Sequence, residues 1–254
     1  TIHVNDPGSL IGSCGDVTLV TTARYENANV GEGKMVIIEY SLVGPGKDYY
    51  ATPEPETLYT GVVTAKSLEI IQAPDAVDKV FNGDSVAQLS GTAIFTGVVT
   101  IDSVPDDVNV LATGRFEKPT VDLTKKRKVT ISYSLTGDDA FNYSAPNSST
   151  DSAYITPLQL IANTPDITRT KSYDGNRIAT VVPGTLQNAV EGFTDFTLTA
   201  NGQYDNPNVG TGKTITVAYS IDGRDAVNYI KPINYTDNDN NTNFTNISNT
   251  NYQN

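Results

Sequence analysis

The stretch Gly202-Gln203-Tyr204-Asp205-Asn206-Pro207-Asn208-Val209-Gly210-Thr211-Gly212-Lys213-Thr214-Ile215-Thr216-Val217-Ala218-Tyr219-Ser220-Ile221 decides the fold. Its last third alternates polar and apolar residues of β-branched type, the pattern of a half-buried strand. Its middle is built of Asn, Pro and Gly, which end strands and supply turns. Just upstream, Phe196-Thr197-Leu198-Thr199-Ala200 alternates as well, so the unit reads strand, turn, strand. Residues 23–42 match residues 202–221 position for position without a gap, with Asn29-Val30-Gly31-Glu32-Gly33-Lys34 beside Asn208-Val209-Gly210-Thr211-Gly212-Lys213. A more diverged copy runs from Gly114-Arg115-Phe116 to Asp122 and resumes at Ile131-Ser132-Tyr133-Ser134-Leu135. The period is roughly 90 residues, the size of a domain rather than of a solenoid turn.

Each copy closes on an aromatic landmark, Asp48-Tyr49-Tyr50, Phe141-Asn142-Tyr143 and Val227-Asn228-Tyr229, whose role reads as packing the end of the unit. No stretch carries a helical stripe. Short strands without helices between them predict an all-β chain of tandem antiparallel sandwiches, immunoglobulin-like in architecture. The predicted organisation is 1–64, an incomplete first repeat that lacks its opening strands; 65–156, a diverged second repeat; 157–230, a third repeat; and 231–254, an Asn-rich tail.

Lys171-Ser172-Tyr173-Asp174-Gly175-Asn176, Pro183-Gly184-Thr185-Leu186, residues 204–213 and Asp225-Ala226-Val227-Asn228-Tyr229 together resemble the YDG repeat of large bacterial cell-surface and adhesin-like proteins. The resemblance covers the third copy almost fully. The second copy departs from it: Val80-Phe81-Asn82-Gly83-Asp84 stands for the Tyr-Asp-Gly turn, and Asp122-Leu123-Thr124-Lys125 for the Gly-x-Gly-Lys turn. The first copy lacks the Tyr-Asp-Gly portion. The resemblance implies an extracellular, cell-surface location, a spacer or adhesive role, and no catalytic residue.

Composition agrees with a folded extended-strand protein. The hydrophobic share is 38% and the charged share 18%, with no Trp and single Cys, Met and His residues. The net charge of −12 disfavours nucleic acid and anionic lipid as partners. The one basic run, Lys125-Lys126-Arg127-Lys128, reads as a solvated strand end. No apolar run is long enough to span a bilayer and no signal peptide is visible, so a secreted form would be mature as written.

Several chemistries fail on their residue requirements. Val209-Gly210-Thr211-Gly212-Lys213-Thr214 hints at a phosphate loop, but Pro207 stands where the first glycine is needed and a strand follows instead of a helix. With His3 the sole histidine and Cys14 the sole cysteine, His/Cys metal sites and Ser-His or Cys-His nucleophiles have no material. Cys14 aligns with Phe193 and reads as a small buried hydrophobe. No paired carboxylates stand out, so the chain reads as a non-enzyme without catalytic or cofactor-binding residues. Asp102, Asp106 and Asp107 lie close in sequence, as do Asp138 and Asp139, and Asp237 and Asp239; the first five are the candidate hard-oxygen ligands for a calcium ion at a domain junction, although no EF-hand or nonapeptide spacing is present. Tyr49, Tyr50 and Tyr59 are the candidates for a glycan-binding platform. The tail holds Asn-x-Ser/Thr sequences such as Asn243-Phe244-Thr245 and Asn246-Ile247-Ser248, read as polar composition.

The functional expectation is a structural subunit of a bacterial surface fibre, assembled from copies of itself head to tail by β-strand complementation. Its alternative is a piece of an adhesin stalk whose modules act as spacers or bind a glycan or host surface. The complementation idea rests on aligning Tyr229-Ile230-Lys231-Pro232-Ile233-Asn234-Tyr235 with Tyr154-Ile155-Thr156-Pro157-Leu158-Gln159-Leu160, which makes the tail the start of a fourth unit. The interface would then be Ile2, His3, Val4, Ile230, Ile233, Tyr235, Phe244, Ile247 and Tyr252.

Overall fold

The structure, a computed structural model, describes residues 16–238. Its regular elements are strands, apart from the short 3-10 turns Lys47–Tyr49, Ala140–Asn142 and Arg224–Asn228, so the all-β class holds. No described helix is long and apolar enough to cross a membrane.

In the third repeat Thr197–Tyr204 pairs antiparallel with Ile215–Asp222, Tyr204 opposite Ile215. Ile178–Ala179 and Tyr235–Asp237 flank this pair and complete a four-stranded sheet. The two-residue period of the strand sends Ile215, Val217 and Tyr219 inward, where they pack with Ile167, Ala179 and Tyr204. The second repeat repeats this plan with Asn109–Phe116 and Arg127–Thr136, flanked by Val86–Ala87 and Ser149–Ala153. Val129, Ile131 and Tyr133 take the inward places there. A separate cluster of Leu68, Val108 and Tyr143 packs with Phe95, Val110 and Leu135. The first repeat is a three-stranded sheet of Thr18–Tyr25, Gly31–Val43 and Glu56–Val63. Its Ile38 and Tyr40 are half-buried, while Ile131 at the same position in the second repeat is fully buried.

Short parallel ladders join the opening of a repeat to its landmark. Lys66–Ser67 pairs with Tyr143–Ser144, and Leu158–Gln159 with Tyr229–Ile230. These pairings bury Leu68 and Leu160, whose N–H groups donate to Ser144 O at 3.2 Å and Ile230 O at 2.9 Å.

The third repeat continues past residue 230. Tyr235 lies opposite Val217 and Asp237 opposite Ile215, as Ser149 lies opposite Ile131 and Asp151 opposite Val129. Residues 231–238 therefore close the third repeat as 145–152 close the second. The expected alignment of residues 229–235 with 154–160 is corrected: both segments read Tyr-Ile-x-Pro, but Tyr229 pairs with Leu158 as Tyr143 pairs with Lys66, so the structural counterpart of Tyr229 is Tyr143. Tyr235, expected at an interface with another chain, is engaged by its own sheet.

By contacts the chain divides into two compact units. One holds the described residues up to Ala73 with Thr92–Ala112 and Ser132–Ser148; the other holds Pro74–Gly91, Thr113–Ile131 and the described residues from Ser149. The division passes through the second repeat, whose two ends are each engaged with a different neighbouring repeat.

Candidate functional site: the repeat junctions

The landmark of each repeat sits on a turn that only glycine fits. Gly137 and Gly223 have φ of +116° and +137°, and a Cβ there would fall 2.3 Å from Asp107 O and 2.6 Å from Asp195 O. Two residues on, an aspartate closes a reciprocal clamp. Asp107 N–H donates to Asp139 Oδ2 at 2.9 Å and Asp139 N–H donates to Asp107 O at 3.1 Å. Asp195 N–H donates to Asp225 Oδ2 at 3.0 Å and Asp225 N–H returns to Asp195 O at 3.0 Å. The landmark tyrosine fixes the other side. Tyr143 OH accepts Val99 N–H at 2.9 Å and donates to Asp106 Oδ2, while Tyr229 OH accepts Val190 N–H at 3.0 Å and donates to Phe193 O at 3.0 Å. Burial raises the pKa of both phenols, so both stay protonated donors at neutral pH.

This rigid platform presents an asparagine, and that asparagine grips the preceding repeat. Asn142 Oδ1 accepts the backbone N–H of Val30 at 2.8 Å, and Asn142 Nδ2 donates to Asn29 Oδ1 at 3.3 Å. Asn228 Oδ1 accepts the backbone N–H of Val121 at 2.9 Å, and here Asn228 is 1% exposed. Val30 and Val121 hold the same place in their repeats, the valine of the turn after the inner strand. Each contact lies within one compact unit.

A basic residue shapes the gripped turn. Lys34 Nζ donates to Asn29 O at 2.6 Å and to Asn27 Oδ1. Lys213 Nζ donates to Asn206 O at 3.2 Å. In the second repeat the turn is longer and Arg127 does this work, donating from Nε to Thr120 O at 3.0 Å and from Nη2 to Val121 O at 2.9 Å. Part of the basic run thus faces the protein, and Lys126 Nζ also lies 5.6 Å from the Tyr154 ring centre.

Rings complete the junction between the second and third repeats. Phe81, 1% exposed, meets Phe193 edge-on at 5.2 Å and Tyr229 edge-on at 5.5 Å. Gly83 lies beneath them with φ +82°, and a Cβ there would come within 2.6 Å of Val190 Cγ1. The counterparts of these groups in the third repeat are open: Tyr173 is 68% exposed, Val209 is 86% exposed, and Gly175, φ +79°, has nothing within 4 Å of a Cβ. Tyr173 and Val209 line a cleft of about 360 Å³ together with Lys171, Asn206 and Lys213.

The other residues singled out in the sequence fall as follows. Asp107, Asp138 and Asp139 come together, but their oxygens and amides serve the turn, with Asp138 N–H on Asp107 Oδ2 at 3.3 Å. Asp106 faces Tyr143, and Asp102 sits at φ +51° in the tight turn between Thr100–Ile101 and Val104–Pro105. Among the described residues no three His, Cys, Asp or Glu side chains gather as metal ligands. Asp237 accepts Arg169 Nε at 2.8 Å. Tyr49 and Tyr59 are exposed and Tyr50 is half-buried. Ile230 and Ile233 are exposed, at 47% and 66%. Ile2, His3, Val4, Cys14, Asp239, Phe244, Ile247 and Tyr252 lie outside the described residues.

Fold and junctions together define a modular all-β protein of tandem repeats. The family model for the YDG domain matches residues 64–152 and again 156–238, and the chain belongs to that family. No curated protein and no solved structure matches it.

Proposed function

We propose that this chain is a non-catalytic structural part of an extracellular bacterial surface fibre or stalk, in which YDG repeats follow one another as spacers held by a repeated joint. The observation that carries the reading is the recurrence of one contact: Asn142 on Val30 and Asn228 on Val121. The side-chain amide on a backbone N–H is a directional contact, and Phe81 packs against Phe193 and Tyr229 at the same joint. The same contact made again from one repeat to the next suits a spacer built of like modules. The net charge of −12 supports solubility at high local density. Antibodies against residues 156–238 should label intact producing cells. Labelling that requires lysis sinks the surface assignment, and a hydrolase screen giving turnover abolished by one Asp→Asn change sinks the non-catalytic one.

One observation favours self-assembly by strand complementation as the second reading. Asn109–Phe116 and Thr197–Tyr204 each carry a short flanking strand, Val86–Ala87 and Ile178–Ala179, and the matching edge of Thr18–Tyr25 is where a strand from another copy would add. A sheet edge accepts an added strand through main-chain hydrogen bonds. Concentration-dependent polymers in sedimentation, lost on deletion of residues 239–254, support this route; a monomer at all concentrations removes it.

A further inference from the structure

We propose that the face formed by Tyr173, Gly175 and Val209 at the end of the third repeat is a docking site for one occupant: the Asp-Ala-x-Asn-Tyr end of a further YDG repeat. The inference rests on the spacer reading above and deepens it by naming the partner of this face.

The argument is that the same face is seen occupied elsewhere in the chain. In the second repeat, Phe81 is 1% exposed and Val121 is 4% exposed, because Asn228, Tyr229, Phe193 and Val190 of the following repeat cover them. In the third repeat their counterparts Tyr173 and Val209 are 68% and 86% exposed. Gly83 faces Val190 at a distance that excludes a side chain, while Gly175 keeps the same left-handed backbone with open space before it. The turn that offers Val209 N–H is already shaped, with Lys213 on the Asn206 side chain as Lys34 is on the equivalent Asn27 side chain in the occupied first repeat. Shape, donor and apolar ring are thus all in place, and the ligand they fit is the one that covers the same face of the second repeat and grips the Val30 turn of the first.

A second copy of this chain does not meet the requirement. Asn142 and Asn228 are both engaged within the chain. The remaining landmark, in the first repeat, carries Tyr49 at the position of the latch asparagine and Gly46 at that of the clamp aspartate. A phenol projects its oxygen well beyond the reach of a carboxamide and the ring takes the space of the turn. The occupant must therefore bring its own asparagine.

Amide hydrogen exchange tests this on the full chain and on an extended chain in which residues 153–238 are repeated directly after Asn238. In the full chain, Val30 and Val121 amides should exchange at least about tenfold more slowly than Val209. In the extended chain Val209 should slow by about the same factor, and changing the appended copy of Asn228 to Ala should restore its fast exchange. A Val209 amide already slow in the full chain, and released by deleting residues 239–254, makes the chain's own tail the occupant and overturns the proposal. So does fast Val209 exchange in an extended chain whose appended sheet is protected. If the appended repeat fails to fold, the comparison of Val30, Val121 and Val209 in the full chain still decides, since equal rates overturn it. None of these readouts depends on where the protein resides, so a failed surface assignment leaves them intact.

Discussion

The ring of Phe81 stands edge-on to the ring of Tyr229, 5.5 Å between centroids and 86° between planes. The two residues belong to successive repeats, and Tyr229 also anchors its own landmark through Val190 N–H and Phe193 O. One tyrosine therefore couples the integrity of its repeat to the joint with the previous one.

Phe81→Ala should destabilise the protein by about 3–5 kcal/mol, the usual cost of emptying a buried aromatic site. Tyr173→Ala, at the same position of the third repeat, should stay within about 0.5 kcal/mol because the ring is exposed. Urea unfolding of the two variants side by side reads the difference. Equal losses would show that Phe81 is held by its own turn and not by the neighbouring repeat.

The latch should be graded by burial. Asn228→Ala leaves Val121 N–H buried without its acceptor and should cost about 1–3 kcal/mol. Asn142→Ala uncovers a half-buried amide that water can reach, and should cost about 1 kcal/mol or less. Hydrogen exchange at Val121 and Val30 should accelerate in the matching variant only. Acceleration at both sites in either variant would mean global loosening rather than a local joint.

The strands were legible in the sequence because alternation is a direct projection of the pleat: Thr214 to Ile221 and Val129 to Leu135 show it without knowledge of partners. The joint was not legible for a physical reason. Its donor is the main-chain N–H of a valine in a turn, and a backbone amide leaves no mark on residue type. Asn142 and Asn228 were visible as landmarks but read as packing, although the change to Tyr49 in the first copy signals that the position does something other than fill space. Phe81 looked like a departure from Tyr-Asp-Gly. Burial explains it, since a phenol pressed between Phe193 and Tyr229 would need a hydrogen-bond partner for its hydroxyl. Arg127 was hidden in a basic run because the second repeat's turn is longer, which shifts the residue that plays the part of Lys34 and Lys213. Tyr-Ile-x-Pro occurs twice, at Tyr154 and at Tyr229, and only strand register separates the two.

Stability should have an acid limb with identifiable owners. The Lys79 ammonium beside Asp84 and the Lys171 ammonium beside Asp174 hold these carboxyls below their usual pKa of 3.8, and backbone N–H groups of Ala76 and Ser152 do so for Asp151. A carboxyl depressed in the folded state is protonated first in the unfolded chain. Its contribution is therefore complete above about pH 4 and is lost as pH falls through the lower folded value. The urea midpoint should be flat from pH 5 to 8 and drop below about pH 4. Asp151→Asn should shallow that drop. The buried phenols act at the other end: Tyr143 and Tyr229 titrate above 10.0, so stability they confer is present below that pH and is lost as pH rises through the folded value. A midpoint that rises on acidification below pH 4 would contradict the assignment.

The last test separates backbone strain from packing at the joint. Gly83 and Gly175 hold the same place in the same turn at φ of +82° and +79°, so alanine meets nearly equal left-handed strain at either, about 1 kcal/mol. Only Gly83 faces a neighbour, with Val190 Cγ1 at 2.6 Å and Phe193 Cε2 at 3.3 Å from the added Cβ. The Phe193 ring is already packed against Phe81 and the Val190 backbone is held by Tyr229 OH, so both have little room to retreat. Overpacking should add about 1–3 kcal/mol to Gly83→Ala beyond the strain shared with Gly175→Ala. Subtracting one variant from the other cancels the turn and leaves the joint. If the two variants melt together, the rings near Gly83 are free to move aside, and the junction is looser than its geometry requires.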